Sequence, residues 1–243
     1  MPEMIEAEEK EEERRLPLRP VGRDTVQERV YRQIREMILN GEIEPGQTIT
    51  LQSLSDAFQV SAMPVREALR RLLAEQALTV VFGRSVGVPV LTRERLADLC
   101  RVRREVEPLA ATWALPRIAE RELDRLSELL DRMQGAAALR DGRRFVPANY
   151  EFHFLIYRAA ASPALLNIIE SLWLQVGPYF HVLRASDNWR EANVAHRAML
   201  SALRRQDPDG AAAALRRDIE DAAITLKDLL CASAAKRDPR NQS

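Results

Sequence analysis

Apolar residues take up helical spacing from Thr25 onward, where Val26, Val30, Ile34, Met37 and Ile38 mark one face, the stripe expected of an amphipathic helix. Asn40-Gly41 ends that helix, because a residue that tolerates left-handed backbone closes a last turn. Glu44-Pro45-Gly46-Gln47 reads as a turn. A short helix follows, with Thr50 as its N-cap and Leu51, Leu54 and Phe58 on its inner face. After a tight turn at Gln59-Val60, Ser61 caps a longer helix to about Gln76, with Val65, Ala68, Leu69, Leu72 and Leu73 inward. Pro64 falls in its first turn, where a missing N–H does no damage. The period then changes to two. Thr79–Phe82 and Val86–Val90 are β-rich runs around Gly83-Arg84-Ser85, which predicts a hairpin with Pro89 at an edge. Helix, helix, turn, helix, hairpin is the element order of a winged helix-turn-helix.

Beyond Leu91 the spacing is helical throughout. It predicts helices near 93–115, 119–139, 143–161, 163–185, 190–206 and 209–231, separated at Pro116, Asp141-Gly142, Ser162-Pro163, Ser186-Asp187 and Asp207-Pro208. Connections this short favour an antiparallel bundle, with Pro178 kinking the fourth helix. The expected fold is therefore mainly α: a disordered leader over 1–23, a head with a small β-hairpin wing over 24–92, a six-helix bundle over 93–232 and a disordered tail over 233–243.

The charges of the chain sum to zero, and residues 24–92 hold seven arginines against eight acidic residues. Bulk charge therefore does not argue for nucleic acid; placement must. Arg66 and Arg70 are four apart on the helix opened by Ser61, opposite the Val65/Leu69/Leu72 stripe. Arginine there can grip guanine edges or clamp phosphate, and the helix start, with Ser61 and Met63, offers backbone N–H donors. Gln52 on the preceding helix and Gly83-Arg84 at the hairpin tip complete the candidate DNA-binding set. The plain alternative has Arg66 and Arg70 paired with Glu67 or Glu75 on a solvated face. No apolar run reaches membrane-spanning length and the start of the chain is no signal peptide, so a cytoplasmic protein is expected. Cys100 and Cys231 lack a CxxC pattern and read as core residues.

The bundle carries polar residues where an apolar interior is expected. Asn149 and His153 share a face of the third bundle helix, His196 sits early in the fifth and Asp218 lies in the sixth. Imidazole, carboxylate and amide oxygen converging from three helices suit a divalent transition metal of the zinc, nickel or manganese class. Each residue alone reads equally as a hydrogen-bonded core or surface group.

Two resemblances sharpen this. Ile38–Gly46, in the pattern I-x-x-G-x-I-x-P-G, and Val60–Leu72, in the pattern V-S-x-x-P-V-R-E-A-L-R-R-L, closely resemble the GntR family of bacterial regulators over about 24–91. Members of that family often carry arginine where Ala62 stands, and the fatty-acid-responsive ones another where Gln52 stands. The segments Arg103–Ala111, Phe152–Ala160 and His196–Arg205 resemble the FCD ligand-binding domain of the FadR subfamily, and six helices point to its VanR-like branch. Many FCD domains hold a metal with one Asp and three His. The resemblance puts Asn149 at the Asp position, His153 and His196 at two His positions and Asp218 at the third. One carboxylate remains, an imidazole is lost and an amide is gained. The resemblance also implies a small organic-acid effector, with Arg103 as a second carboxylate anchor or merely an i,i+4 partner of Glu107. Tyr150 and Trp173 are expected to line its pocket, with Tyr179 and His181 as further lining or as core.

The expected protein is a homodimeric, effector-controlled repressor on a pseudo-palindromic double-stranded operator, with no membrane partner. A helical metalloenzyme acting on small carboxylates and a protein-binding adaptor are the rival readings.

Overall fold

The computed structural model describes residues 25–83, 85–180 and 189–237. Thr25 accepts a hydrogen bond from the Glu28 amide at 3.2 Å and so opens helix α1 (Val26–Leu39), which buries Val30, Tyr31, Ile34, Ile38 and Leu39. The chain leaves α1 through Asn40, with Gly41 at φ +66°. Thr50 forms a capping box with Ser53 and starts helix α2 (Leu51–Phe58); Gln59 follows in left-handed backbone at φ 54°. Helix α3 (Ala62–Ala74) buries Val65, Ala68, Leu69 and Leu72 and packs on α1 and α2. The helices stand where expected, but Val26 is 41% exposed, Tyr31 and Leu39 are buried off the expected stripe, and Ser61 makes no side-chain cap bond.

The wing differs in one strand. Strands β1 (Thr48–Ile49), β2 (Thr79–Phe82) and β3 (Ser85–Gly87) form an antiparallel sheet in the order β1-β3-β2, with Gly87 opposite both Thr48 and Thr79. β1 escaped prediction because two residues carry no period. β3 stops at Gly87 instead of Val90, since Val88 bridges to Pro45 and accepts from the Gly46 amide at 2.9 Å. Pro89 accordingly lies past the sheet, not on its edge. At Gly87 a Cβ would stand 2.4 Å from the Gln47 carbonyl oxygen, so only glycine allows β1 this close.

Among the described residues six helices follow: α4 (Arg93–Ala114), α5 (Glu120–Ala138), α6 (Gly142–Ala159), α7 (Pro163–Val176), α8 (Trp189–Arg204) and α9 (Pro208–Arg237). Thr92, Asp141 and Ser162 cap α4, α6 and α7 with side-chain oxygens. α4 packs against α6, α7 and α9, while α8 lies between α5 and α9. Among the described residues no helix is long and apolar enough to cross a membrane. Cys100 is buried, as expected, and the Cys231 side chain lies outside what is described.

Two boundaries need correction. The fourth bundle helix does not kink at Pro178 and run to 185; it ends at Val176 and tightens into a 3-10 turn, Gly177–Tyr179. Proline has no N–H for the helical ladder and its ring collides with the preceding turn, so here it stops the helix. The last helix runs to Arg237, into the segment expected as tail. The expected leader 1–23 and the residues Arg84 and His181 lie outside the described residues.

Candidate functional site

Three helices bring three metal-competent groups together inside the bundle. His153 of α6, His196 of α8 and Asp218 of α9 each offer one ligand atom within 4.8 Å of the others. His153 Nε2 lies 3.1 Å from His196 Nε2 and 3.3 Å from Asp218 Oδ2, and His196 Nδ1 lies 3.6 Å from Asp218 Oδ1. Metal bonds of about 2.0–2.2 Å set tetrahedral ligand atoms about 3.3–3.6 Å apart, so His153 Nε2 and Asp218 Oδ2 at 3.3 Å stand at the spacing of two ligands of an ion such as zinc, with one nitrogen of His196 to complete the set. Both imidazoles are buried. Burial pushes the Asp218 carboxyl upward, but His196, then His153 and Arg103, hold it at about 2. It is ionised throughout the neutral range. Three protein ligands leave positions open for a further donor. Asn149, the fourth expected ligand, is half-buried one turn before His153 on α6.

Hydrogen-bond accounting fixes the His153 tautomer. The Tyr157 hydroxyl has one proton, which it donates to Glu107 Oε2 at 2.5 Å. Its oxygen also meets His153 Nδ1 at 3.2 Å, so that nitrogen must be the one that donates. Nε2 is then the nitrogen that faces His196 and Asp218, able to give Asp218 a proton when the ring is charged and to give a metal its lone pair when the ring is neutral. Glu107 is fully buried, and Arg103 Nε donates to its Oε1 at 2.5 Å while Nη2 donates to Oε2 at 3.3 Å. Burial disfavours the Arg103 charge, yet Glu107 raises its pKa above the usual arginine value. Burial first, and Glu107 second, raise Tyr157 well above the ordinary phenol range, so it keeps its proton.

Aromatic rings wall the site. Trp173 of α7 lies 5.3 Å from the His153 ring and 5.8 Å edge-on to Tyr150, with the Arg103 guanidinium 5.1 Å from its own centroid. Tyr150 stacks on Phe154 at 4.1 Å. The Trp173 Nε1–H and the Asn193 Oδ1, the latter one turn before His196 on α8, are buried with no hydrogen-bond partner among the described residues. Trp173 and Arg103 are thus at the triad, although the Arg103 fork already grips Glu107, while Tyr150 reaches it only through Trp173 and faces Arg35 on its other side. Tyr179 points elsewhere: its hydroxyl bonds to the Pro89 carbonyl and the Leu91 amide. Reading the sequence missed Tyr157 and Asn193. Their signal was spacing alone, four residues after His153 and three before His196.

The head presents the other candidate surface. Arg66 is exposed on α3, and no ion pair or hydrogen bond ties its guanidinium among the described residues. Arg70, 68% exposed, pairs with Glu67 at 2.8 Å, so the bland alternative holds there in the free chain. Ser61 caps α3 without a side-chain bond, leaving its hydroxyl outward, and Met63 is 61% exposed beside it. Gln52 is exposed on α2, where it donates to Asp56 at 2.8 Å. Gly83 tips the wing at φ +56°. Behind this face, the Tyr31 hydroxyl donates to both Glu75 oxygens at 2.9 and 2.8 Å, and Arg71 covers the Tyr31 ring at 3.6 Å. That network braces α3 on α1.

Comparison with known proteins agrees with both halves. The bacterial regulatory proteins of the gntR family match residues 26–88, and the FCD domain matches residues 98–221. The HTH-type transcriptional regulator McbR of Escherichia coli K12 is 30% identical over 184 residues, covering 74% of this chain and 83% of that one. The HTH-type transcriptional repressor GlaR of the same organism is 25% identical over 204 residues, covering 82% and 90%. The solved E. coli McbR/YncC superposes with a TM-score of 0.79 at 28% identity, covering 85% of this chain and 99% of that one. A GntR regulator from Rhodococcus sp. RHA1 shares the fold, with a TM-score of 0.68 at 24% identity over 82% and 96%.

Proposed function

The chain belongs to the GntR family of bacterial transcription regulators, with an FCD domain as its bundle, and we propose that it is a repressor gated by a metal-bound carboxylate. It is a regulator and not an enzyme, as its named relatives are. In this reading a divalent transition metal of the zinc, nickel or manganese class sits on His153, His196 and Asp218, with Asn149 as a fourth donor. The metal would supply Lewis acidity that grips the carboxylate of a small organic-acid effector. Trp173, Tyr150 and Arg103 would shape the rest of the pocket.

The observation that carries this reading is the chain from Glu107 through the Tyr157 hydroxyl to His153 Nδ1, which turns His153 Nε2 toward a second imidazole and an ionised carboxylate. A core histidine kept only for packing has no need of a buried tyrosine and glutamate to select that tautomer. Six bundle helices among the described residues support placement in the VanR-like branch.

On the DNA side, Arg66 with Arg70, Ser61, Met63 and Gln52 would meet the major groove, and Gly83-Arg84 the flanking groove. A cytoplasmic homodimer would set two such heads on a pseudo-palindromic operator. The dimer is supported by Val102, Leu109 and Trp113, which share one face of α4 and are 38%, 46% and 43% exposed in the single chain. The repressor GlaR is a relative that supports the sign.

Elemental analysis of the purified chain against the double variant His153→Ala/His196→Ala tests the pocket. The wild type should retain about one ion per chain and the variant none; equal content in both ends the metal reading. Arg66→Ala should lower specific operator affinity by about 1–3 kcal/mol, and unchanged specific binding would remove α3 from the groove.

A further inference from the structure

The stretch Glu170–Phe180, the end of α7 with its 3-10 turn, touches the pocket and the head at once. On the pocket side, Trp173 lies 5.3 Å from His153 and 5.4 Å from Phe180, and Arg103 stands over both rings at 5.1 and 5.8 Å. The Trp173 indole N–H is buried without a partner among the described residues. A buried donor needs an acceptor, and an oxygen of a pocket ligand could supply it.

On the head side the same stretch makes four attachments. Glu170 pairs with Arg35 of α1 at 3.2 Å. Gln175 Oε1 accepts from Arg95 Nη2 at 2.5 Å, and that nitrogen also donates at 2.6 Å to Gln76, just past α3. Gly177 lies so near the end of α1 that a Cβ there would be 3.2 Å from the Leu39 side chain. Tyr179 donates to the Pro89 carbonyl and accepts from the Leu91 amide at 2.5 Å, gripping the linker between wing and α4 from both sides.

We propose that Glu170–Phe180 is the transmission element of this regulator, with the Tyr179 hydroxyl as its latch on the linker. The inference rests on the reading that the bundle pocket takes the ligand. An acceptor that engages Trp173 pulls on a stretch whose Trp173, Leu174, Val176 and Tyr179 are buried, so the stretch moves as a unit. Its displacement is felt where the hydroxyl holds Pro89 and Leu91, because hydrogen bonds tolerate little change in length or angle. A cleft of about 570 Å3 between head and bundle, bounded by Leu73, Val80, Val90, Arg95, Leu99 and Gln175, gives the head room to re-seat once the latch shifts. Both pocket and head then bias one two-state element, the condition for coupling.

The test uses the full chain, an operator selected from random duplexes with the wild-type protein, and zinc as the probe, because water on the open position of a bound zinc would bring the acceptor oxygen that Trp173 lacks. Tyr179→Phe removes both linker bonds and leaves the triad intact. Zinc affinity of the variant should stay within about twofold of wild type. The zinc-induced change in operator affinity, about fivefold or more in wild type, should fall below about twofold. Hydrogen exchange at the Leu91 amide should respond to zinc in wild type and be fast and unresponsive in the variant, with the amides of α6 equally protected in both. A zinc response that survives in Tyr179→Phe overturns the proposal, as does a wild type that binds zinc with no change in operator affinity or Leu91 exchange. Should wild type bind no zinc, the metal reading fails by itself, and transmission is decided without metal by His153→Ala. That change should alter Leu91 exchange when Tyr179 is present and not when it is Phe. Leu91 exchange indifferent to His153→Ala in both backgrounds overturns the proposal as well.

Discussion

Tyr157→Phe isolates the group on which the metal reading turns. The ring stays, with its contacts to Phe154 at 5.4 Å and Trp173 at 6.4 Å, so packing is conserved and only the hydroxyl is lost. Glu107 then loses its 2.5 Å donor and keeps Arg103, while the Nδ1–H of His153 loses its acceptor at 3.2 Å. Stripping a buried hydrogen-bond partner from a charged acceptor costs about 1–3 kcal/mol. In a domain of this size each kcal/mol lowers Tm by about 2–4 °C. Nothing then favours the bare Nε2 over the protonated one, and losing such a supporting bond weakens a metal site by about 10–100-fold. Competition with a chromophoric chelator reads zinc affinity, and calorimetry of the metal-free chain reads stability. Both should fall. A lowered Tm with zinc affinity within about twofold of wild type would make the hydroxyl a packing brace and refute the tautomer argument. A tighter site would mean the opposite tautomer prevails.

Three further outcomes follow from neighbouring contacts. Glu107→Gln leaves the Arg103 charge buried at 3% exposure without its counter-ion; urea unfolding should show a loss of about 3–5 kcal/mol, and a loss smaller than that of Tyr157→Phe contradicts the charge pairing. Tyr31→Phe removes the donor to both Glu75 oxygens while Arg71 still holds that carboxylate at 3.1 Å, so the head should lose about 1–2 kcal/mol in thermal denaturation, and no loss would mean that Arg71 alone braces α3. Trp113→Glu puts a charge on the exposed apolar face of α4; sedimentation should show dimerisation weakened by about tenfold or more, and an unchanged dimer moves the interface elsewhere.

Much of the head was legible because its elements announce themselves locally. Thr25, Thr50 and Ser61 stand at three helix starts, and the stripes that follow name most of the buried residues, though not Tyr31, Leu39 or Ser55. β1 was not legible, because two residues acquire strand character only by pairing with Gly87 and Val86, some forty positions on. Pro178 shows a different failure. Proline in a helical pattern signals either a kink or an end, and the choice falls to what the next residue can gain. Here Tyr179 gains two bonds to the linker, which no periodicity of its own segment displays.

The site divides along the same line. Spacing placed His153, His196 and Asp218 on helix faces, and three faces of one bundle had to meet. Spacing could not say that Arg103 and Glu107 are interior, since an i,i+4 pair looks identical on a solvated surface. Interior placement changes its physics. A surface pair is worth little, whereas a buried one must be fully bonded, and Tyr157 is the third partner that completes it. Through Tyr157 the charge pair reaches His153, so a feature that reads as helix decoration bears on the protonation of a proposed metal ligand. The carboxylate at 218 fits the same logic. The family pattern expects an acid at 149 on α6, yet a single carboxylate on α9 faces both imidazoles at once, one oxygen to each. Attraction to those rings and to Arg103 offsets its burial and keeps it ionised. The charge of the ligand set is preserved although its position has moved, which is why exchange of two ligands need not abolish the site.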